Sequence, residues 1–254
     1  MVEKQVGNAV IYRPRVPDIE FLIVGGLAAF IGAVVQGSVG LGVGLVATPI
    51  VAMLFPSLMP GVILVMALAL PLATLAQEAG HADLRGVGWA FAGRIAGTPF
   101  GALLVAAAPD RVLSVAIGVV VLASLAATSW SREVPRTRRT LAAAGLLSGA
   151  MSTASGIGGP PIALLYQRES GPRVRATLAV FFIVGLLLSL AALAVAGRLP
   201  ARQITAGAAL LPFVIAGFVA AAPLRRYLDA GRLRPALLVV VGMSAVALIV
   251  RNLV

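Results

Sequence analysis

Residues 36–49 read Q-G-S-V-G-L-G-V-G-L-V-A-T-P. Four glycines, an amide and a hydroxyl interrupt a stretch, 21–77, that carries no charged residue and no histidine. A glycine inside a helix costs roughly 1 kcal/mol relative to Ala. Irregular backbone at membrane depth survives only where protein or water satisfies its polar groups. A second stretch, 148–161, reads S-G-A-M-S-T-A-S-G-I-G-G-P-P in a similar setting. Two such breaks imply a unit built twice, with a site where the copies meet.

The setting is a bilayer. The 254 residues are 60% hydrophobic and 11% charged, with mean hydropathy +1.02, whereas a soluble domain carries roughly 25% charged residues. The uncharged runs have the length of helical spans and do not alternate like barrel strands. The expected fold class is therefore an all-α polytopic membrane protein. The absence of cysteine excludes disulfides, thiolate metal sites and cysteine nucleophiles. The net charge of +11 lies largely in loops. It reads as the positive-inside pattern beside anionic headgroups rather than as a nucleic-acid surface. Asp18 and Glu20 precede the first apolar run, which outlasts a signal-peptide core and is read as mature sequence.

In chain order, 1–18 is a polar arm, 19–135 a first membrane repeat and 136–254 a second. Each repeat holds a Gly-rich broken run, 19–55 or 140–167, followed by three spans. Those spans are 61–77, 87–107 and 112–130 in the first repeat, and 176–197, 203–224 and 235–250 in the second. A weak echo relates the halves: Gly37 to Gly149, Gly40 and Gly42 to Gly156 and Gly158, and Ala96-Gly97 to Ala216-Gly217. The 28 residues of 140–167 would make about 42 Å of helix, too short to cross a ~30 Å core twice. They fit one long span or a hairpin of two half-helices. Charge bias decides for the hairpin. With hairpins, the basic residues at 85, 132–139, 168–175 and 225–234 share one face and outnumber those at 4–15, 111, 198–202 and 251. Three crossings per half then invert the second repeat relative to the first and put both termini on the extracytoplasmic side.

The helices restart after the breaks, near Leu45 and at Pro160-Pro161, where proline suits a first helical turn. Their N-termini, with free N–H groups and the positive dipole end, would converge on the midplane from opposite sides. The neutral groups alongside are the side chains of Gln36, Ser38, Thr48, Ser152, Thr153 and Ser155. Backbone is exposed at Gly40, Gly42, Gly44, Gly156, Gly158 and Gly159. That set predicts a small-anion site with binding weak enough for release. The competing reading of any single glycine is close helix packing. G-x-G-x-G at 40–44 has no βαβ context and is not a nucleotide loop.

Arg94 is the one charge well inside a span. It is either an oxyanion ligand or a side chain that snorkels to the surface. Glu78, His81 and Asp83 could relay protons, although a solvated loop is the simpler reading. No carboxylate lies deep in a span, so coupling through one is not supported. With a single histidine, no H-E-x-x-H and no paired carboxylates, the chain does not read as an enzyme, and no metal or cofactor is expected.

At these motifs the chain resembles the TauE/SafE family of sulfite exporters, the 4-toluene sulfonate uptake permease group. The resemblance rests on G-x-x-x-Q-G-S-x-G-x-G-x-G from Gly32 with A-T-P at 47–49, and on G-L-L-S-G-A-M-S-T-A-S-G-I-G-G-P-P at 145–161. R-A-T-L at 175–178 and G-T-P-F-G-A at 97–102 add to it. It implies export of sulfite, sulfoacetate or related organosulfur anions across the plasma membrane. Arg94 departs from the pattern, which leads one to expect an uncharged residue there. The combined reading is a secondary transporter for a small sulfur oxyanion or organosulfonate, working by alternating access between the two hairpins. The alternatives are a channel-like facilitator of small anions and, less favoured, an accessory membrane subunit. A homodimer is compatible with the sequence, which shows no interface for one.

Overall fold

A computed structural model describes residues 18–39, 43–128, 134–228 and 233–253, excluding the side chains of 38–39, 128, 222–228, 233–238 and 240. The N-terminal arm falls almost wholly outside the described residues. Those described form helices and no strand. In chain order they are α1 (Ile19–Val39), α2 (Val43–Leu54), α3 (Gly61–Met66), α4 (Ala69–Glu78), α5 (Leu84–Ala107) and α6 (Asp110–Thr128). They continue with α7 (Arg138–Ser155), α8 (Gly159–Tyr166), α9 (Gly171–Val195), α10 (Ala201–Leu228) and α11 (Leu233–Leu253). Among the described residues, six stretches are long and apolar enough to cross a membrane: Ile19–Gly37, Gly61–His81, Leu84–Ala107, Asp110–Ala127, Gly171–Val195 and Ala201–Ala221. Large apolar side chains such as Leu27, Phe100, Leu103, Leu187 and Val219 face outward, as a lipid solvent allows.

Both broken runs fold back on themselves. Arg136 and Glu169 form an ion pair at 2.6 Å, so the two ends of 140–167 lie together. The rings of Phe21 and Phe55 meet edge-on at 5.2 Å, so the two ends of 19–55 do as well. These meetings occur at opposite ends of the bundle. At the first, basic end, Asp83 bonds Tyr166 and Glu78 pairs with Arg175. At the other end, Arg198 donates to the Ala106 carbonyl, Arg111 to those of Asn252 and Leu253, and Arg251 to that of Met53.

The expectation of two half-helices per hairpin is corrected. The first arms have 21 and 18 residues and the second arms 12 and 8, or about 31 and 27 Å against about 18 and 12 Å. The breaks come late, after Val39 and Ser155, so each first arm overshoots the point where its partner restarts. A Cβ on Gly32 would lie 2.9 Å from the Val43 Cα, which places the start of α2 roughly 20 Å along α1. The start of α8 is set likewise: a Cβ on Gly158 would lie 2.6 Å from the Ser152 Cβ.

The expected span 61–77 is present, within Gly61–His81, but it is interrupted at Ala67-Leu68 between α3 and α4. Pro71 stands in the first turn of α4. Its missing N–H leaves the Ala67 carbonyl without a helical partner.

Glycines set the spacing between the hairpins and the long helices. A Cβ on Gly93 would meet the Ala142 carbonyl oxygen of α7 at 1.8 Å, and one on Gly97 would meet that of Leu146 at 2.0 Å. Reciprocally, one on Gly145 would meet the Ala90 oxygen of α5 at 1.9 Å. Backbones in contact through small residues are the membrane alternative to hydrophobic drive between helices. The echoed glycines occupy corresponding contacts: Gly149 and Gly97 lie between α7 and α5, Gly37 and Gly217 between α1 and α10.

The chain has no native cysteine, so single cysteines report sidedness directly. Cysteines at Arg138 and Arg168 are expected to react with an impermeant maleimide from the same side of a sealed vesicle, and one at Arg198 from the other. Labelling of Arg138 and Arg168 from opposite sides would be incompatible with the hairpin of α7 and α8.

Candidate functional site

The two breaks touch. A Cβ on Gly44 would lie 3.2 Å from the Gly156 carbonyl oxygen and 3.4 Å from Ile157. Each break also satisfies its own freed backbone. The amide of Val43 donates to the Gln36 side-chain oxygen at 3.0 Å, so a residue two turns back caps α2. Gly156 closes α7 in the left-handed region, φ 81°, with its N–H on the Ser152 carbonyl, a common glycine ending for a helix. The Ser155 hydroxyl donates to the Met151 carbonyl and accepts from the Ile157 amide at 3.2 Å. Thr48 donates to the Ser155 carbonyl at 3.3 Å, tying one break to the other.

An inner cavity lies where the breaks meet. Gln36, Gly44, Ser152, Gly156, Gly158, Gly159, Ala67, Pro71 and Phe182 contribute to its wall. The structure thus brings six of the sequence-predicted residues together. Thr48, Thr153 and Ser155 are buried and spend their hydroxyls on structure, Thr153 on the Gly149 carbonyl and the Ser189 hydroxyl, each at 2.8 Å. Gly40, Gly42 and the Ser38 side chain lie outside the described part. Ala67, Pro71 and Phe182 are among the wall residues that were not anticipated. Pro71, in an otherwise apolar run, was the available signal for Ala67 and itself; nothing distinguished Phe182 from an ordinary core aromatic.

Arg94 does not snorkel. It is fully buried, and a Cβ on Gly185 would lie 1.9 Å from its Nε, so α9 needs a glycine there to admit the guanidinium. The guanidinium lies 4.7 Å from the centre of the Phe181 ring. It donates through Nη1 to Ser148 Oγ at 3.1 Å and through Nη2 to Ser152 Oγ at 3.0 Å. The Ser148 hydroxyl in turn donates to the Gly158 carbonyl. Ser152, on the cavity wall, donates to nothing among the described residues, so its O–H is available to the cavity. Arg94 has no carboxylate partner among the described residues, and its Nε has no acceptor there. An uncompensated buried charge is costly, and a bound anion beside Ser152 would offset it.

No described Asp or Glu lines the inner cavity. Its donors are the Ser152 hydroxyl, the Gln36 amide nitrogen, and the Gly158 and Gly159 N–H groups at the start of α8, where helical partners are lacking. An outer cavity adjoins it through shared Gln36, Pro71 and Phe182 and runs past Thr74 and Gln77 to Glu78 and Arg175 at the basic end. The loop there is not freely solvated. Asp83 accepts from Tyr166 at 3.0 Å and from the Gly86 amide at 3.1 Å, while its own amide donates to Thr177. Burial raises the Asp83 carboxyl, but the Gly86 amide, the Tyr166 hydroxyl, Arg136 and Arg173 together hold it below the usual carboxylate range.

Membrane-length helices, a central break-lined cavity, donors without carboxylates and a buried guanidinium behind the wall define a multi-pass membrane transport protein suited to an anion. The family model for Sulfite exporter TauE/SafE matches residues 25–248. The chain belongs to that family, which implies a transporter of the sulfite and organosulfonate exporter type. No curated protein and no solved structure matches it.

Gly156→Ala is expected to lower thermal stability by about 1–2 kcal/mol through the left-handed φ alone. The loss should be greater in practice, because the added methyl would sit 2.4 Å from Ile63; a melting curve in detergent reads it. Gly185→Ala should displace the guanidinium without removing its charge. It is expected to weaken anion binding about tenfold or more, the value of a hydrogen bond involving a charged group, measured by titration calorimetry.

Proposed function

We propose that the protein exports a small sulfur oxyanion or organosulfonate, such as sulfite or sulfoacetate, across the plasma membrane through the inner cavity. One observation carries the reading: Arg94 donates to the hydroxyl of Ser152, a residue that lines the cavity. The guanidinium acts through the serine. It accepts no proton and touches no cargo, but it polarises the O–H toward an oxyanion and supplies positive potential in a low-dielectric interior. Neutral donors then make the direct contacts, which keeps the anion exchangeable.

Alternating access between two inverted repeats, 19–135 and 136–254, is the mechanism we favour. Its support is the exchange of helix pairings: α5 packs on α7 as α10 packs on α1, and α5 meets α9 as α10 meets α3. With the basic end cytoplasmic and both termini outside, the conformation is inward-facing. The outer cavity leads toward the basic end. Toward the opposite end, Gln203 joins α10 to the chain before α3, accepting from the Gly61 amide and donating to the Ser57 and Met59 carbonyls. That no described carboxylate lines the inner cavity also suits a facilitator that moves anions without a coupling ion.

Binding of sulfite, sulfoacetate, thiosulfate and taurine to the purified protein, with flux into proteoliposomes, tests the reading. Ser152→Ala is expected to weaken binding of the preferred anion about tenfold and to slow flux. Unchanged binding and flux would remove the inner site. Acceleration of uptake by anion on the far side identifies a carrier; its absence identifies a facilitator.

A further inference from the structure

We propose that Arg175 is a second anion subsite, at the entrance of the pathway, and that Glu78 occupies it when no anion is there. The inference rests on the export reading and adds to it a place where the anion is first held. Arg175 is the one described basic residue that lines either cavity. It stands one turn into α9, and Glu78 closes α4 on the opposite wall of the outer cavity. The Glu78 carboxylate sits on the guanidinium fork: Arg175 Nε lies 3.1 and 3.0 Å from its two oxygens, and Nη2 also donates to one of them. Two oxygens on one centre, facing a planar fork, is also how a sulfonate or sulfite would bind.

Two other described cations of this end form ion pairs elsewhere, Arg136 with Glu169, and Arg173 with Glu169 and Asp83. The Glu78–Arg175 pair is partly exposed, with side chains at 22% and 38%. An ion pair so exposed is weak, on the order of fivefold in equilibrium terms, so an incoming anion can displace the carboxylate. From there the wall runs past Gln77 and Thr74 to Gln36, which borders the inner cavity. Glu78 thus stands in for the cargo on Arg175, and the cargo displaces it by exchange.

The absence of native cysteine makes the test direct. Thr74→Cys places one thiol in the outer cavity of the full chain, and its reaction rate with sulfonatoethyl methanethiosulfonate is followed with and without sulfoacetate or sulfate. In Thr74→Cys/Glu78→Gln the anionic reagent is expected to react faster, and either anion to protect at about fivefold lower concentration. Arg175→Gln should slow the reagent and abolish protection, and Arg175→Lys, which keeps the charge and loses the fork, should weaken it. The proposal is overturned if Glu78→Gln leaves rate and protection within about twofold of the parent. It is equally overturned if both Arg175 variants protect as the parent does. Ser152→Ala in the same background separates the two sites: protection retained with unchanged flux overturns the inner site alone, whereas flux lost with a rate and protection that do not depend on Glu78 overturns the entrance subsite alone.

Discussion

Backbone groups released inside an apolar bundle must find partners within the protein, and the centre of this structure is arranged around that requirement. Each interruption brings its own solution. Gln36 caps the restart at Val43, Ser155 caps Ile157, and Gly156 turns the chain with its amide on Ser152. Thr48 then bonds the Ser155 carbonyl across the gap. The described edges of the two breaks are thereby joined by hydrogen bonds.

A second arrangement depends on that one. Glycines at 93, 97, 145 and 149 bring the backbones of α5 and α7 into contact, and this proximity sets Arg94 beneath Ser148 and Ser152. Side chains of ordinary size along that seam would push the helices apart and leave the guanidinium with neither hydroxyl. The same charge gains an aromatic face from Phe181 and a recess at Gly185, but no carboxylate among the described residues. A positive group held so, behind the cavity wall, is what the proposed anion site draws on.

Much of this was legible in the residues. Apolar runs of span length can form only helices in lipid, and glycines clustered within them mark interruptions whatever the surroundings. Charge bias between loops identified the hairpins, because both ends of each broken run had to share a face. Other features were not legible. A seam of small residues and a seam of site residues have the same composition, so Thr153 and Ser155 read like Ser152 although only Ser152 reaches the cavity. The third interruption, at Ala67-Leu68, was hidden in a run whose single proline is tolerated in many membrane helices.

Composition and order alone determined that this chain crosses a membrane and that two glycine clusters interrupt its apolar runs. These follow from transfer energies and local backbone preferences, which each residue carries with it. Only the tertiary structure decided which hydroxyl faces the cavity, that Arg94 stays inside, and that Glu78 lies on Arg175. Those depend on the rotation and separation of packed helices. Contacts between residues far apart in sequence set both, and no local pattern records them.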